Sequence, residues 1–237
     1  EDMIRLLKKR IYDIGAISNK HIKVKYNSQV IPVKNFIQYV DMYIGSKDDS
    51  PRVYEENPNG RWEYAVSISP QHEFQQVSFV NGINTGKGGK HVDYILNQIT
   101  KKMMAFIEKK KKVVVNTSAI KEQLLLFVRC DIENPAFDSQ TKDYMNTPST
   151  KSGSTCVVSD KFIEKLAKMG VVESACALTQ VKENKAAKKS DGSKSKNVRG
   201  IPKLIDANWA GTEKSKNCII IFCEGDSAKA GIVSGLS

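Results

Sequence analysis

Residues 219–228 read Ile-Ile-Ile-Phe-Cys-Glu-Gly-Asp-Ser-Ala, an apolar run that ends on an acidic residue, a glycine and residues that commonly begin helices. Five apolar residues bounded by turn signals predict a buried parallel strand at residues 219–223. Asp226 or Ser227 would cap the following helix, because their side-chain oxygens accept hydrogen bonds from free backbone amides. Glu224 is therefore predicted at the carboxyl edge of a sheet, where open α/β folds bind ligands. The alternative is a strand end and a capped helix without chemistry.

The phrase Glu-Gly-Asp-Ser-Ala at residues 224–228 resembles the signature that opens the Toprim domain of type IIA DNA topoisomerases. The resemblance implies that Glu224 is a catalytic residue, which works with Mg²⁺ and proton transfer while DNA is cleaved and rejoined. Mg²⁺ needs several oxygen ligands, and the Asp-x-Asp pair of the family does not follow Glu224. We therefore expect the chain to be a piece of a longer protein.

Composition indicates a globular, basic protein. Apolar residues make up 40% of the chain, and 37 Lys and Arg against 26 Asp and Glu give a net charge of +11. This charge favours polyanions such as nucleic acid. The five cysteines contain no Cys-x-x-Cys pair and the three histidines are scattered, so neither a disulfide framework nor a zinc site is supported. We expect the cysteines to be reduced thiols of an intracellular protein. No apolar run approaches 18 residues, so no membrane span is expected.

Hydrophobic periodicity predicts a mixture of helices and strands. Helices are predicted at residues 2–14, 35–44, 91–112 and 160–169, with Gly170 ending the last one. Strands are predicted at residues 51–54, 62–69, 75–80 and 124–128, and a hairpin around Asn27 and Ser28. Residues 183–198 are rich in lysine, serine and alanine, which indicates an exposed linker.

Glycine and lysine residues lie between a predicted strand and the long helix, in the segment 81–91. Three residues separate Gly82 from Gly86, and Gly88 follows Lys87. A P-loop needs four residues in that interval and Ser or Thr after its lysine, so we expect glycines that adopt positive φ rather than a phosphate cradle. Residues 77–94 also resemble a transducer-domain motif of type II topoisomerases, whose role is architectural.

Residues 134–142 read Asn-Pro-Ala-Phe-Asp-Ser-Gln-Thr-Lys. A lysine on a turn is ordinarily a solvated surface charge. In type IIA topoisomerases, however, the similar Gln-Thr-Lys loop reaches the neighbouring ATPase domain. The resemblance implies that Lys142, helped by Gln140, contacts the γ-phosphate of ATP and senses whether that phosphate is present.

Four consecutive lysines end the long predicted helix: Lys109, Lys110, Lys111 and Lys112. Cations at this position complement the negative end of the helix dipole, so a solvated helix end is one interpretation. The resemblance implies the other interpretation, a lysine cluster that touches phosphates of the double helix to be cut.

Residues 200–212 resemble the segment that leads into Toprim in eukaryotic topoisomerase II, although Trp209 replaces a charged or polar residue. Matching phrases in the eukaryotic order, with divergent sequence between them, suggest an enzyme of a large cytoplasmic DNA virus. The resemblance implies an α/β (α+β) fold with a transducer of the ribosomal-protein domain 2-like type. Its expected parts are the tail of a GHKL ATPase domain at 1–44, the transducer at 45–172, a linker at 173–216 and the start of Toprim at 217–237.

The implied function is that of an ATP-dependent type II DNA topoisomerase, which passes one duplex through a transient double-strand break in another. ATP and Mg²⁺ are the expected cofactors, double-stranded DNA and a second copy of the chain the expected partners, and the nucleus or a host cytoplasm the expected location. We expect the fragment to couple ATP turnover to the DNA gate, without activity of its own. The alternatives are a non-enzymatic basic nucleic-acid-binding module and a Toprim primase or nuclease.

Overall fold

The structure is a computed structural model that describes residues 1–19, 21–179, 207, 209–225 and 228. The chain divides into two units, Glu1–Thr179 and Gln180–Ser237. The linker predicted at residues 183–198 lies outside the described residues.

The first part of the larger unit contains two helices separated by a short hairpin. Its elements are α1 (Asp2–Ile17), β1 (Lys25–Tyr26), β2 (Gln29–Val30) and α2 (Phe36–Ile44). The predicted hairpin is confirmed: β1 and β2 pair antiparallel, and Asn27 and Ser28 adopt the positive φ angles that a two-residue turn requires. The side chain of Asn35 accepts a hydrogen bond from the backbone of Gln38 and so begins α2.

A mixed sheet forms the centre of this unit. The remaining elements are β3 (Arg52–Glu56), β4 (Trp62–Ile68), β5 (Gln75–Val80), β6 (Ile83–Asn84), β7 (Gly88–Gly89), α3 (Lys90–Lys111), α4 (Thr117–Lys121), β8 (Leu124–Cys130), β9 (Tyr144–Met145) and α5 (Asp160–Leu166). Five strands form the sheet in the order β3-β4-β8-β5-β6. Strand β8 is antiparallel to β4 and parallel to β5, so the central strand predicted at residues 124–128 is confirmed and extends to Cys130.

Alternating side chains divide the core into two layers, because successive residues of a strand point to opposite faces of the sheet. On one face, Leu124, Leu126 and Val128 pack in the cluster that includes α3 and α5. On the other face, Leu125 and Phe127 pack in the cluster that includes α2. The predicted mixed α/β class is confirmed, with helices on both faces of one sheet.

Helix α2 contacts the sheet through aromatic rings. The ring centroids of Tyr39 and Phe79 lie 5.6 Å apart, as do those of Tyr43 and Phe127. The segment before residue 45 therefore packs on the same sheet as the segment after it. The domain limits predicted at residues 44, 172 and 216 stay predictions.

The C-terminal helix of the larger unit does not end where the sequence predicted. The Ser159 side chain caps α5 by accepting a hydrogen bond from the backbone of Phe162. Gly170 has a φ of 95° and interrupts the helical geometry, but residues 172–179 are helical again. Because glycine adopts positive φ at little cost, Gly170 introduces a kink rather than an end. None of the described helices is long and apolar enough to cross a membrane.

Candidate functional site

The candidate phosphate-sensing loop, residues 137–145, is closed by backbone hydrogen bonds between its two arms. Phe137 and Met145 form an isolated antiparallel bridge. The Asp138 amide donates to the Tyr144 carbonyl oxygen at 3.1 Å. Just outside the loop, the Asn146 amide donates to the Ala136 carbonyl oxygen at 2.8 Å. These bonds hold the base of the loop and leave residues 139–142 at its tip.

Local hydrogen bonds order the tip. The Lys142 amide donates to the Ser139 carbonyl oxygen at 3.1 Å, and Lys142 has a φ of 60°. The hydroxyls of Ser139 and Thr141 lie 2.8 Å apart, and the Thr141 hydroxyl donates to Asp143 Oδ2 at 2.8 Å. The tip thus has a defined turn, which is the condition for presenting a side chain in a fixed direction.

The two predicted sensing residues are both exposed at this tip. Gln140 and Lys142 are solvent-exposed, and Lys142 forms no ion pair with the described residues. Its Nζ lies 5.8 Å from the centre of the Phe137 ring, a weak cation–π contact at an exposed position. The ammonium is therefore available to an anion supplied from outside the described residues.

The glycine-rich segment lies directly beside this loop, which sequence reasoning did not foresee. Strands β7 and β9 pair in parallel, with Gly88 opposite Tyr144 and Gly89 opposite Met145. A Cβ atom on Gly89 would lie 2.4 Å from the Met145 carbonyl oxygen. The positive φ predicted for the glycines of this segment is confirmed at Gly82, Gly88 and Gly89.

A buried polar chain supports the glycine-rich segment from inside. The hydroxyls of Ser78 and Thr85 lie 2.6 Å apart, and Thr85 Oγ1 lies 3.2 Å from His91 Nε2. His91 Nδ1 is buried and has no hydrogen-bond partner. Burial lowers the pKa of His91 to about 3, so this histidine is neutral at physiological pH and acts as an uncharged part of the core.

The lysine run lies at the C-terminal end of α3, as predicted. Lys109, Lys110 and Lys111 occupy the last helical turn, and Lys112 follows with a left-handed φ of 55°. All four side chains are exposed. This placement agrees with both interpretations of the run, the favourable charge at a helix end and a phosphate-binding cluster.

The prediction of a strand at residues 219–223 is wrong. These residues lie in no strand, and the side chains of Ile219 and Phe222 are 83% and 87% exposed. An extended segment is stabilised by pairing with neighbouring strands, and none of the described residues of the smaller unit forms a strand. The predicted caps Asp226 and Ser227 lie outside the described residues.

Glu224 is consequently not at the edge of a sheet. It is exposed in a bend. No group of three or more His, Cys, Asp or Glu residues that could hold a metal occurs in the described part of the chain. A hard cation such as Mg²⁺ takes several oxygen ligands, and Glu224 with the described residues near it does not supply a complete set.

The cysteines are free thiols, as the sequence indicated. Burial raises the pKa of Cys130, and burial likewise raises the pKa of Cys156 to about 11. Because the thiolate is the nucleophilic form, neither buried cysteine is suited to nucleophilic catalysis.

The central sheet and the helices on both its faces define a mixed α/β unit, and the exposed loop lies on it. The family model for DNA gyrase B matches residues 34–196, more than half of the chain. The chain therefore belongs to the DNA gyrase B family of type II topoisomerases, and the predicted resemblance is confirmed at this level.

Individual relatives agree with this assignment. DNA topoisomerase 2 of Arabidopsis thaliana is 44% identical over 100% of this chain, and the chain spans 16% of that relative. The crystal structure of the ATPase region of Saccharomyces cerevisiae topoisomerase II matches with a TM-score of 0.68 and 35% identity, over 76% of this chain and 45% of the other. The ATPase and transducer domains of topoisomerase II from Balamuthia mandrillaris match with a TM-score of 0.69 and 35% identity, over 77% of this chain and 46% of the other.

These similarities favour the topoisomerase interpretation over its alternatives. The matched relatives are named as topoisomerases and the matched structures as topoisomerase ATPase regions. They give no support to a non-enzymatic basic nucleic-acid-binding module. The chain thus corresponds to less than a fifth of the length of the Arabidopsis thaliana relative.

Proposed function

We propose that the chain is part of an ATP-dependent type II DNA topoisomerase and that its larger unit couples nucleotide binding to movement of the DNA gate. The enzyme would pass one duplex through a transient double-strand break in another. Family membership and the similarity to the Balamuthia mandrillaris ATPase and transducer domains support this proposal. The observation that carries it is the exposed ammonium of Lys142, presented on an ordered loop without an ion-pair partner among the described residues.

In this proposal, Lys142 contacts the γ-phosphate of ATP bound to a neighbouring ATPase domain, and Gln140 assists by donating a hydrogen bond from its side-chain amide. A compact ammonium stabilises charge on phosphoryl oxygens. The contact weakens once the γ-phosphate leaves, so the loop reports the nucleotide state to the unit that carries it. The backbone bonds at the base of the loop transmit that state to β7 and to the segment preceding α3.

We also propose a domain assignment for each of the four predicted segments of the chain. Residues 1–44 are proposed as the tail of a GHKL ATPase domain, 45–172 as a transducer of the ribosomal-protein domain 2-like fold, 173–216 as the connection to the DNA gate and 217–237 as the start of Toprim. The helix-covered mixed sheet supports the transducer assignment. The assignment of residues 217–237 to Toprim rests on the Glu-Gly-Asp-Ser-Ala phrase alone, because residues 219–223 do not form the predicted strand.

Double-stranded DNA is the proposed partner of Lys109, Lys110, Lys111 and Lys112. Their exposure and their position at one helix end support a cluster that neutralises phosphates. A homodimer, a nuclear or host-cytoplasmic location and a viral source stay predictions. Glu224 as a catalytic and magnesium-binding residue likewise stays a prediction that depends on the resemblance.

The proposed role of Lys142 is tested by measuring ATP turnover of the full-length protein and its Lys142→Ala variant. A charge-assisted hydrogen bond contributes about 1.5 to 3 kcal/mol. Its loss from the transition state corresponds to a decrease in turnover of roughly tenfold to more than a hundredfold. Lys151→Ala serves as the matched control, because it removes the same charge from another exposed position.

Circular dichroism of each variant shows whether the fold is retained. A tenfold or larger decrease in Lys142→Ala, with unchanged turnover in Lys151→Ala, supports the sensing role. Equal turnover in the wild-type protein and Lys142→Ala would identify residues 140–142 as an ordinary surface loop.

A further inference from the structure

A second lysine lies beside the sensing loop. Lys87 is exposed, and its Nζ lies 3.7 Å from Asp143 Oδ2. The Lys87 amide also donates to the Asp143 carbonyl oxygen at 2.9 Å. Asp143 directly follows Lys142 in the chain, so the carboxylate that pairs with Lys87 belongs to the loop that carries Lys142.

We propose that Lys87 is a second phosphate-binding residue of this site and that Asp143 is the anion that Lys87 contacts until nucleotide arrives. The inference rests on the function proposed above for Lys142. On ATP binding, the Lys87 ammonium leaves the carboxylate and joins Lys142 on the terminal phosphate. By pairing with Lys87, Asp143 lowers the affinity of the loop for anions until a multiply charged phosphate competes with it for Lys87.

The backbone geometry is suited to such an exchange. The parallel pairing of β7 with β9 and the bond from the Lys87 amide hold the two segments together. The long lysine side chain can therefore change partners while the backbone stays in place. The Lys87 and Asp143 side chains are 68% and 39% exposed, and exposed ion pairs are weak because water screens them. A phosphate accepts charge-assisted hydrogen bonds through several oxygens.

Asp143 has a second contact that determines which substitution is informative. Its Oδ2 atom accepts the Thr141 hydroxyl at 2.8 Å, within the loop tip. Asparagine keeps a side-chain carbonyl oxygen that can accept this bond, but it carries no charge. Asp143→Asn therefore removes the attraction for Lys87 while it preserves the acceptor for Thr141.

The test compares steady-state ATP hydrolysis by the full-length protein and its variants, with kcat and KM for ATP determined separately. We expect Lys87→Ala to lower kcat/KM about fivefold to tenfold, and Lys87→Arg to restore most of it because the charge returns. We expect Asp143→Asn to have the opposite effect, a KM lowered about twofold to fivefold. In the Lys87→Ala background, Asp143→Asn should change KM less than about twofold.

Lys101→Ala is the matched control for charge. Lys101 is exposed on α3, eleven residues or about 16 Å along the helix from its start, and its replacement removes one positive charge away from the loop. Raising the salt concentration should reduce the difference between wild-type protein and Asp143→Asn, since screening weakens exposed charge interactions.

The outcomes separate this inference from the proposed function. If Lys142→Ala lowers turnover and Lys87→Ala behaves like Lys101→Ala, the inference is overturned and the role of Lys142 stands. If Asp143→Asn raises KM as Lys87→Ala does, the pair is structural and the inference is again overturned. If Lys142→Ala itself leaves turnover unchanged, the proposed function fails, and the inference fails with it.

Discussion

The buried histidine at the start of α3 gives the protein a pH-dependent stability that can be worked out from its surroundings. His91 is 1% exposed, and burial lowers its pKa to about 3, whereas an unfolded histidine has a pKa of about 6.5. Between these two pH values the unfolded chain binds a proton that the folded chain does not bind, so acidification favours unfolding. The stability that comes from keeping His91 neutral is therefore fully present above about pH 6.5. It decreases as the pH falls from about 6.5 towards 3 and does not change further below that pH.

The size of the effect follows from the two pKa values. Between pH 7 and pH 5, proton binding to unfolded His91 lowers the free energy of unfolding by about 2 kcal/mol. His91→Gln removes the titrating group, and the glutamine amide can still reach the Thr85 hydroxyl that now lies 3.2 Å from His91 Nε2. We expect the variant to be less stable at pH 7, because a buried side chain is replaced. On acidification, however, its stability should fall by about 2 kcal/mol less than that of the wild-type chain.

Urea unfolding at pH 7 and pH 5, followed by circular dichroism at constant ionic strength, measures this difference. Carboxylates that titrate in the same range affect both chains, so the comparison isolates His91. His72→Gln is the matched control, because it makes the same substitution at an exposed histidine. An equal decrease in stability in the wild-type chain and His91→Gln would refute the assignment of a neutral buried histidine.

Two further predictions concern the neighbouring elements. Gly89→Ala should destabilise the fold by more than about 1 kcal/mol, because the added Cβ would lie 2.4 Å from the Met145 carbonyl oxygen at a φ of 143°. Urea unfolding measures the change. Gly60→Ala is the control, because Gly60 also has a positive φ but no atom lies within 4 Å of the added Cβ, so the comparison separates the steric clash from the cost of positive φ. Replacing all four lysines of residues 109–112 by alanine should reduce the slope of log affinity for DNA against log salt concentration by about 0.9 for each phosphate that these lysines neutralise. An unchanged slope in the full-length protein would identify the run as a solvated helix end.

Helices α1, α2 and α3 could be predicted from the sequence because their hydrogen bonds are local. The apolar spacing of residues 91–112 predicts α3, and the structure places it at Lys90–Lys111. Strands β4, β5 and β8 were also predicted, since alternating or continuous apolar runs indicate buried strands. The exposed positions of Gln140 and Lys142 agree with the turn that their sequence indicates.

Residues 219–223 show where local pattern is insufficient. Their apolar run has the composition of a buried strand, yet it lies unpaired and exposed. A strand is completed by hydrogen bonds to another strand, and the run itself carries no information about where that partner lies.

Which residues lie together in the candidate site also depends on the tertiary structure, because a local sequence pattern does not identify its distant partner. In the sequence, residues 81–91 and residues 140–142 are separate motifs. The resemblance to type II topoisomerases implied an architectural role for the first and a phosphate contact for the second. Only the parallel pairing of β7 with β9 brings Lys87 to Asp143 and thus to the loop of Lys142. That pairing joins segments far apart in the chain. The backbones of β7 and β9 can approach this closely only because Gly89 has no side chain, since a Cβ there would clash with the Met145 carbonyl oxygen. The sequence determined the local elements and the exposed lysine, and the non-local pairing decided which charges lie beside it.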